Sequence, residues 1–262
     1  MKFTTLSSAA IVAALTIGAL APTVALADAT DLDSTGTVKV EEGGDEPSPG
    51  VVDPEKPGEI LPKPNPQPGE VVNPDLGALM IERTSNLNFG TIKTSANEVT
   101  AFAAPASFGE GENATTRGAY VQWRDIRAGG TFGYTVTAEM TQQFTGATSN
   151  KLNGSTIDFS NGFISAQGDN TNKIPSNAAT AFRLTEGGGA TTVVSASKAT
   201  QEGKGRYIMA FGNSKESTEA NSVKLTIPGA TASNMAVDTY TAKVTWKVVA
   251  EPSSTPEQTP EV

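Results

Sequence analysis

The fold class of this chain is decided by one stretch near its end, Tyr240-Thr241-Ala242-Lys243-Val244-Thr245-Trp246-Lys247-Val248. Apolar and polar side chains alternate through all nine residues. A period of two is typical of a β-strand that buries one face and exposes the other. Trp246 and its apolar neighbours are therefore expected on the buried face, and the lysines and threonines on the solvent-exposed face.

Shorter runs of the same alternation recur through residues 76–252. The clearest are residues 132–138, 207–211 and 222–227, and further candidates are residues 79–82, 87–92, 119–125, 181–184 and 191–195. Glycine-rich segments between these runs are expected to be turns. We predict an all-β chain with a single β-sandwich-like domain over residues 76–252 and long loops around residues 140–180.

Residues 28–75, called the leader below, have a different composition. They hold twelve Asp and Glu against three Lys, a net charge of −9, whereas residues 76–262 carry a net charge of −1. High charge, low hydrophobicity and dense proline predict a disordered, polyproline-II-biased segment. A tether for the domain and a merely solvated tail are both compatible with this composition. Residues 253–262 are predicted to be a polar C-terminal tail.

The N-terminus has the features of a secretory signal peptide over residues 1–27. Lys2 supplies a positive charge, residues 9–20 are apolar or small, and Ala25-Leu26-Ala27 offers the small residues that a signal peptidase accepts. The apolar run is shorter than the ~20 residues needed to span a bilayer. We therefore predict a secreted protein with no membrane span in its mature form.

The chain contains no cysteine and no histidine. Disulfides, thiolate nucleophiles, imidazole bases and the usual zinc sites are therefore excluded. Carboxylate pairs remain, Glu110 with Glu112 or Asp125 with Glu139, as does the oxygen-rich loop 169–172 for a cation. Their spacing is also that of ordinary solvated loops. We predict a protein that is not an enzyme, with no catalytic residue, metal or cofactor, and dispersed charges that do not favour nucleic acid.

Three segments in this order carry a resemblance to a known family. They are Leu87-Asn88-Phe89-Gly90, residues 120–136, and residues 223–252. Together with the signal peptide they resemble the WxL-domain surface proteins of low-GC Gram-positive bacteria. The resemblance implies a domain that attaches non-covalently to the cell wall by binding peptidoglycan, and that can assemble with companion surface proteins.

The two Trp-x-Leu motifs of that family are altered here. Tyr134-Thr135-Val136 stands at the first position and Trp246-Lys247-Val248 at the second. The resemblance makes Tyr134, Val136, Trp246 and Val248 candidates for peptidoglycan contact, and Trp123, which precedes a glycine turn, is a further candidate. Strand alternation also places the motif residues on a buried face. Two interpretations therefore stay open: the motif residues contact a ligand, or they recur in the family because the hydrophobic core needs them.

The expected function is thus a secreted protein of the cell surface that binds peptidoglycan. The alternative is a structural or adhesive subunit that a partner protein holds at the wall, for example through an exposed strand edge.

Export is expected to remove residues 1–27 and to leave Asp28 as the first residue, because Ala25 and Ala27 fit the signal peptidase. Intact-mass measurement of the secreted protein checks this. Ala25→Phe should block cleavage, whereas Ala29→Phe, beyond the site, should not. Secreted wild-type protein that retained Met1 would contradict the prediction.

Overall fold

A computed structural model of the chain describes residues 34–251. The predicted signal peptide and C-terminal tail lie outside the described residues. The chain divides into two compact units, residues 1–40 and residues 41–262. In the first unit, residues 34–40 carry no regular secondary structure, and Val38 and Val40 are exposed.

The described part of the second unit is built almost wholly of strands. They are β1 (Glu70–Val72), β2 (Leu79–Ser85), β3 (Val99–Phe102), β4 (Ala106–Phe108), β5 (Thr115–Arg117), β6 (Ala119–Asp125), β7 (Tyr134–Thr145), β8 (Thr156–Phe159), β9 (Gly162–Ala166), β10 (Asn177–Ala178), β11 (Phe182–Thr185), β12 (Thr191–Ala196), β13 (Gly205–Phe211), β14 (Val223–Ile227) and β15 (Thr241–Ala250). One helical turn, α1 (Gly229–Ala232), and two 3-10 turns, Gly111–Asn113 and Ser214–Glu216, complete the elements. The predicted all-β fold class is confirmed.

Three antiparallel sheets and a small ribbon enclose the core. Their strand orders are β1-β2-β6-β13-β9, β10-β12-β7-β15 and β11-β8-β14-β3, and β4 pairs with β5 in the ribbon. Apolar side chains from the inner faces of all three sheets form the main core cluster. This layered arrangement agrees with the predicted sandwich-like architecture.

Two sequence-based expectations about local structure are wrong. Residues 87–92 form no strand, because the Asn88 side chain accepts the Gly90 N–H and turns the backbone there. The predicted long loops around residues 140–180 instead contain the end of β7 and the short strands β8, β9 and β10. In β8 only Ile157 and Phe159 point inward, so the apolar alternation is too short to identify the strand from sequence.

The structure also differs from the predicted disordered leader over residues 44–75. Val51, Val52 and Leu61 are buried in a second core cluster with Phe108 and residues of β6 and β13. At the end of the leader, β1 pairs with β2. The ordered β domain therefore includes residues that composition alone assigned to the leader.

Buried polar side chains of β5 and β6 hold the leader in place. The Arg117 guanidinium donates to Asp53 at 2.7 Å, and Gln122 accepts the Val52 N–H at 2.8 Å. Arg124 donates to the carbonyl oxygens of Gly44 and Glu46 at 2.9 and 2.7 Å. These interactions add directional partners to the few backbone hydrogen bonds that the leader forms within itself, such as that from the Leu61 N–H to the Val51 carbonyl.

We expect Arg117→Ala to destabilise the domain by about 3–5 kcal/mol, because it leaves the Asp53 carboxylate buried without its cation. Denaturant unfolding measures this, with exposed Lys56→Ala as the matched control.

Limited proteolysis of the wild type should spare residues 44–75. A stable fragment that began near Leu76, or an Arg117→Ala variant of wild-type stability, would contradict the role of this ion pair.

Candidate functional site

The two motifs lie side by side in the structure, although they are far apart in sequence. Strands β7 and β15 are antiparallel neighbours, and Val248 is directly opposite Val136. Trp246 is opposite Ala138 on the same pair of strands. The motif residues share the inward face, where Tyr134 and Val136 are fully buried and Trp246 and Val248 are half-buried. The alternation in the sequence predicts both strands but not their pairing.

Trp123, Tyr134 and Val136 are core residues with no exposed surface. The Trp123 indole N–H donates to the Tyr134 hydroxyl at 2.8 Å, and the Trp123 ring stacks on Tyr207 with centroids 6.0 Å apart. Burial raises the pKa of the Tyr134 phenol, so the hydroxyl is neutral at physiological pH. Three of the five candidate residues are thus held inside the protein and out of reach of a polymer outside it.

Trp246 has a different environment. Its ring packs on Phe211 with centroids 6.2 Å apart and meets Phe159 edge-on at 6.0 Å and Phe182 at 6.3 Å. Because the residue is only half-buried, part of its surface is left outside this aromatic cluster. Trp246 therefore belongs to the core on one side and to the surface on the other.

The free surface of Trp246 lines a groove of about 400 Å³. This groove, called the β15 groove below, runs between β15 and residues 84–89 and is lined in part by Tyr240, Val244 and Phe89. Val248 lies on the same strand but does not line the groove. Of the five candidates, Trp246 lines this groove, and the other four do not.

Polar groups stand at the rim of the β15 groove. Asn86 is exposed, and its side-chain amide donates to the Pro68 carbonyl at 3.1 Å. Lys243 is exposed on β15 and also lines the groove. Aromatic walls with a few polar groups suit a ligand that has an apolar face and hydrogen-bonding edges.

The carboxylates noted in the sequence occupy other environments. Asp125 is fully buried, 2.7 Å from Arg127 and 3.1 Å from Lys204. Burial acts to raise the pKa of Asp125, but the hydrogen bonds from Arg127 and Lys204 outweigh it and hold that pKa below its ordinary value. Asp125 is thus engaged in ion pairs. Glu110 and Glu112 are exposed at the Gly111–Asn113 turn.

The loop 169–172 is engaged in its own hydrogen bonds. The Asn170 side chain donates to the Lys204 carbonyl and accepts the Asn172 N–H. Across residues 34–251, no three acidic side chains lie close enough together to hold a metal ion. In the same residues, no helix has the length and apolar character needed to cross a bilayer.

The described residues thus form an antiparallel β domain with a surface groove lined by aromatic side chains and by the Asn86 amide, the kind of depression in which ligands bind. The family model described as "WxL domain surface cell wall-binding" matches residues 27–252. The chain belongs to this family, as its motifs indicated, and the family is one of cell wall-binding rather than catalytic domains. The chain is thus a surface protein of the cell wall. No curated protein and no solved structure matches it significantly.

Trp246→Ala is expected to destabilise the domain by about 3 kcal/mol, the lower end for a core tryptophan, because the ring is half-buried against Phe159, Phe182 and Phe211. Denaturant unfolding or a melting curve measures the change. Val249→Ala, on the exposed face of the same strand, is the control and should cost about 0.5 kcal/mol or less. A Trp246→Ala variant that melted like the wild type would show that the ring contributes little to the core.

Proposed function

We propose that this domain attaches to the cell wall by binding peptidoglycan directly and non-covalently, with sugar rings docked in the β15 groove. The observation that carries the proposal is the position of Trp246, a residue of the family motif whose free surface lines that groove. The wall-binding assignment of the family supplies the class of target. The groove supplies a place where a polymer outside the protein can reach a motif residue.

The chemistry of the groove supports a carbohydrate ligand. A pyranose ring presents C–H groups on one face and hydroxyl or acetamido groups at its edges. Trp246 and Tyr240 offer aromatic surfaces for the apolar face, and Asn86 and Lys243 offer hydrogen-bonding groups for the edges. Because a glycan strand repeats the same units, the wall presents many equivalent sites to this groove.

The other candidate residues act in this proposal by positioning. Tyr134 and Val136 fix the inward face of β7, and Trp123 holds the Tyr134 hydroxyl. Since β7 pairs directly with β15, these side chains set the place of Trp246 without contacting the ligand. Val248, opposite Val136, secures the same pairing.

We further propose that the protein reaches the wall by secretion from a Gram-positive bacterium, after removal of residues 1–27. The apolar run at residues 9–20 and the Ala25-Leu26-Ala27 site support export. A cysteine-free exported chain is common among such bacteria, and the described residues of this domain pack around an apolar core instead of disulfides.

A second function, attachment through a companion surface protein, is favoured by the edge of the third sheet. Strand β3 is the last strand of that sheet in the described residues, and its Phe102 is 45% exposed. An exposed aromatic on an open edge suits the addition of a strand from a partner. In this case the domain would be a structural or adhesive subunit held at the wall indirectly.

Purified sacculi separate the two functions. The wild-type chain should bind sacculi without any partner, and Trp246→Leu and Tyr240→Leu should each weaken binding about fivefold to tenfold, because each removes an aromatic contact with the sugar. Phe102→Leu, an exposed aromatic outside the groove, is the matched control and should bind like the wild type. Melting curves of all three variants confirm that they are folded at the assay temperature.

The opposite pattern identifies the second function. Wild-type protein that bound sacculi only with a companion protein, and lost that binding in Phe102→Leu, would contradict direct binding through the β15 groove.

A further inference from the structure

A second groove adjoins the β15 groove. It encloses about 580 Å³ and is lined by Gly69, Glu70, Asn86, Gly109, Glu110 and residues 63–66. We call it the leader groove. Asn86 lines both grooves, and of the neighbouring residues Glu70 and Val71, the first lines the leader groove and the second the β15 groove. The two grooves therefore share Asn86 as a wall, and we call the pair the furrow.

The walls of the leader groove are fixed before any ligand arrives. The Asn65 N–H donates to the Ser107 carbonyl at 2.8 Å, and the Gly109 N–H donates to the Lys63 carbonyl at 3.1 Å. Pro64 forms an isolated bridge with Phe108, and its ring restricts the backbone further. On the far side, the Asn86 N–H donates to the Gly69 carbonyl at 3.0 Å. A preformed groove binds without the entropy cost of ordering its walls.

One exposed cation and one exposed anion line this groove. They are Lys63, whose carbonyl accepts the Gly109 N–H, and Glu110, which follows Gly109 in the chain. Within the described part of the chain neither side chain forms an ion pair. Glu70, by contrast, is committed to Arg83 at 2.7 Å and to the Tyr120 hydroxyl at 2.9 Å. The groove thus offers complementary charges to a ligand that carries both a carboxylate and an amine.

We propose that the leader groove binds the stem peptide of the same peptidoglycan strand whose sugars occupy the β15 groove. Lys63 pairs with a carboxylate of the stem, and Glu110 pairs with its free amine. This inference rests on the proposed function, because it needs the sugar in the β15 groove. It names the further part of the polymer that the domain recognises.

The shape of the furrow fits a branched polymer. A stem peptide leaves the glycan through the lactyl group of every second sugar, so a sugar docked beside Trp246 sends its branch sideways along the furrow. At the wall that the two grooves share, the Asn86 amide donates to Pro68, and in the described residues no hydrogen bond reaches its Oδ1. That oxygen can accept an N–H from the first peptide bond of the branch.

Two soluble probes test the inference with the full mature chain. One is a disaccharide–tetrapeptide that carries a lysine as the third residue of its stem, and the other is the same disaccharide after an amidase has removed the peptide. The wild type should bind the first about fivefold more tightly than the second in an NMR titration. Lys63→Ala and Glu110→Gln should each reduce this ratio about two- to fourfold, with unchanged binding of the bare disaccharide.

The controls separate local charge from net charge. Lys215→Ala and Glu216→Gln, both exposed on the Ser214–Glu216 turn, make the same charge changes away from the furrow and should leave the ratio unchanged. Acetylation of the free amine of the stem should weaken binding to the wild type but not to Glu110→Gln. Such non-additivity identifies Glu110 as the partner of the amine.

Each outcome bears on one proposal or on both. Equal binding of the two probes, with both weakened by Trp246→Leu, would overturn the stem-peptide site and leave the glycan site standing. A loss of the ratio in the Lys215→Ala or Glu216→Gln controls would overturn the specific roles of Lys63 and Glu110. If neither probe bound to the wild type, both the direct binding of peptidoglycan and this inference would be overturned.

Discussion

The pairing of β7 with β15 is the interaction on which the rest of this structure depends. Strand β7 lies between β12 and β15, and its inward side chains from Tyr134 to Met140 have almost no exposed surface. Strand β15 covers the open side of β7 and places Trp246 opposite Ala138. Because the alanine side chain is small, the indole ring can extend over the strand toward Phe211. The same pairing therefore closes the core and brings Trp246 to the edge of the groove.

Buried arginine side chains hold the leader in its position on the domain. Arg117 and Arg124 lie deep in the domain, and their partners are Asp53, Glu82 and backbone carbonyls of the leader. A buried ion pair adds little net stability over an apolar pair of the same size, although removal of one partner is costly. We conclude that these pairs chiefly determine where the leader lies. This position matters because residues 63–66 and Gly69 of the leader form a wall of the furrow.

The sequence predicted the fold where one alternating pattern was long enough to be unambiguous. Strands β14 and β15 agree with their predicted ranges to within a residue or two, since each alternates over at least five residues, and β6 also agrees with its predicted range. The sequence could not predict that residues 44–75 of the leader are structurally ordered. Its prolines and acids are typical of disorder, and the side chains that hold it, such as Arg117, are distant in sequence and give no local signal.

The sequence also predicted only part of the candidate site, because the rest depends on the tertiary fold. The motifs identified the right pair of strands, yet alternation gives only the face of a strand and not the depth of each residue. Trp123 and Tyr134 are fully buried, whereas Trp246 on an equivalent face is half-buried because its strand lies at the edge of the sheet. The groove itself depends on Phe89 and Asn86, whose contacts with β15 arise only from the tertiary fold.

The departures of this chain from the family motifs can now be located physically. The two valines that stand in place of leucine, Val136 and Val248, are directly opposite each other, so both changes affect one cross-strand pair inside the core. Tyrosine in place of the first tryptophan is tolerated at a fully buried site because Trp123 donates to its hydroxyl, which would otherwise be costly to bury. Trp246, the motif residue that reaches the groove, is unchanged. The differences thus alter how β7 and β15 pack, and they leave intact the aromatic surface that a ligand at the groove would meet.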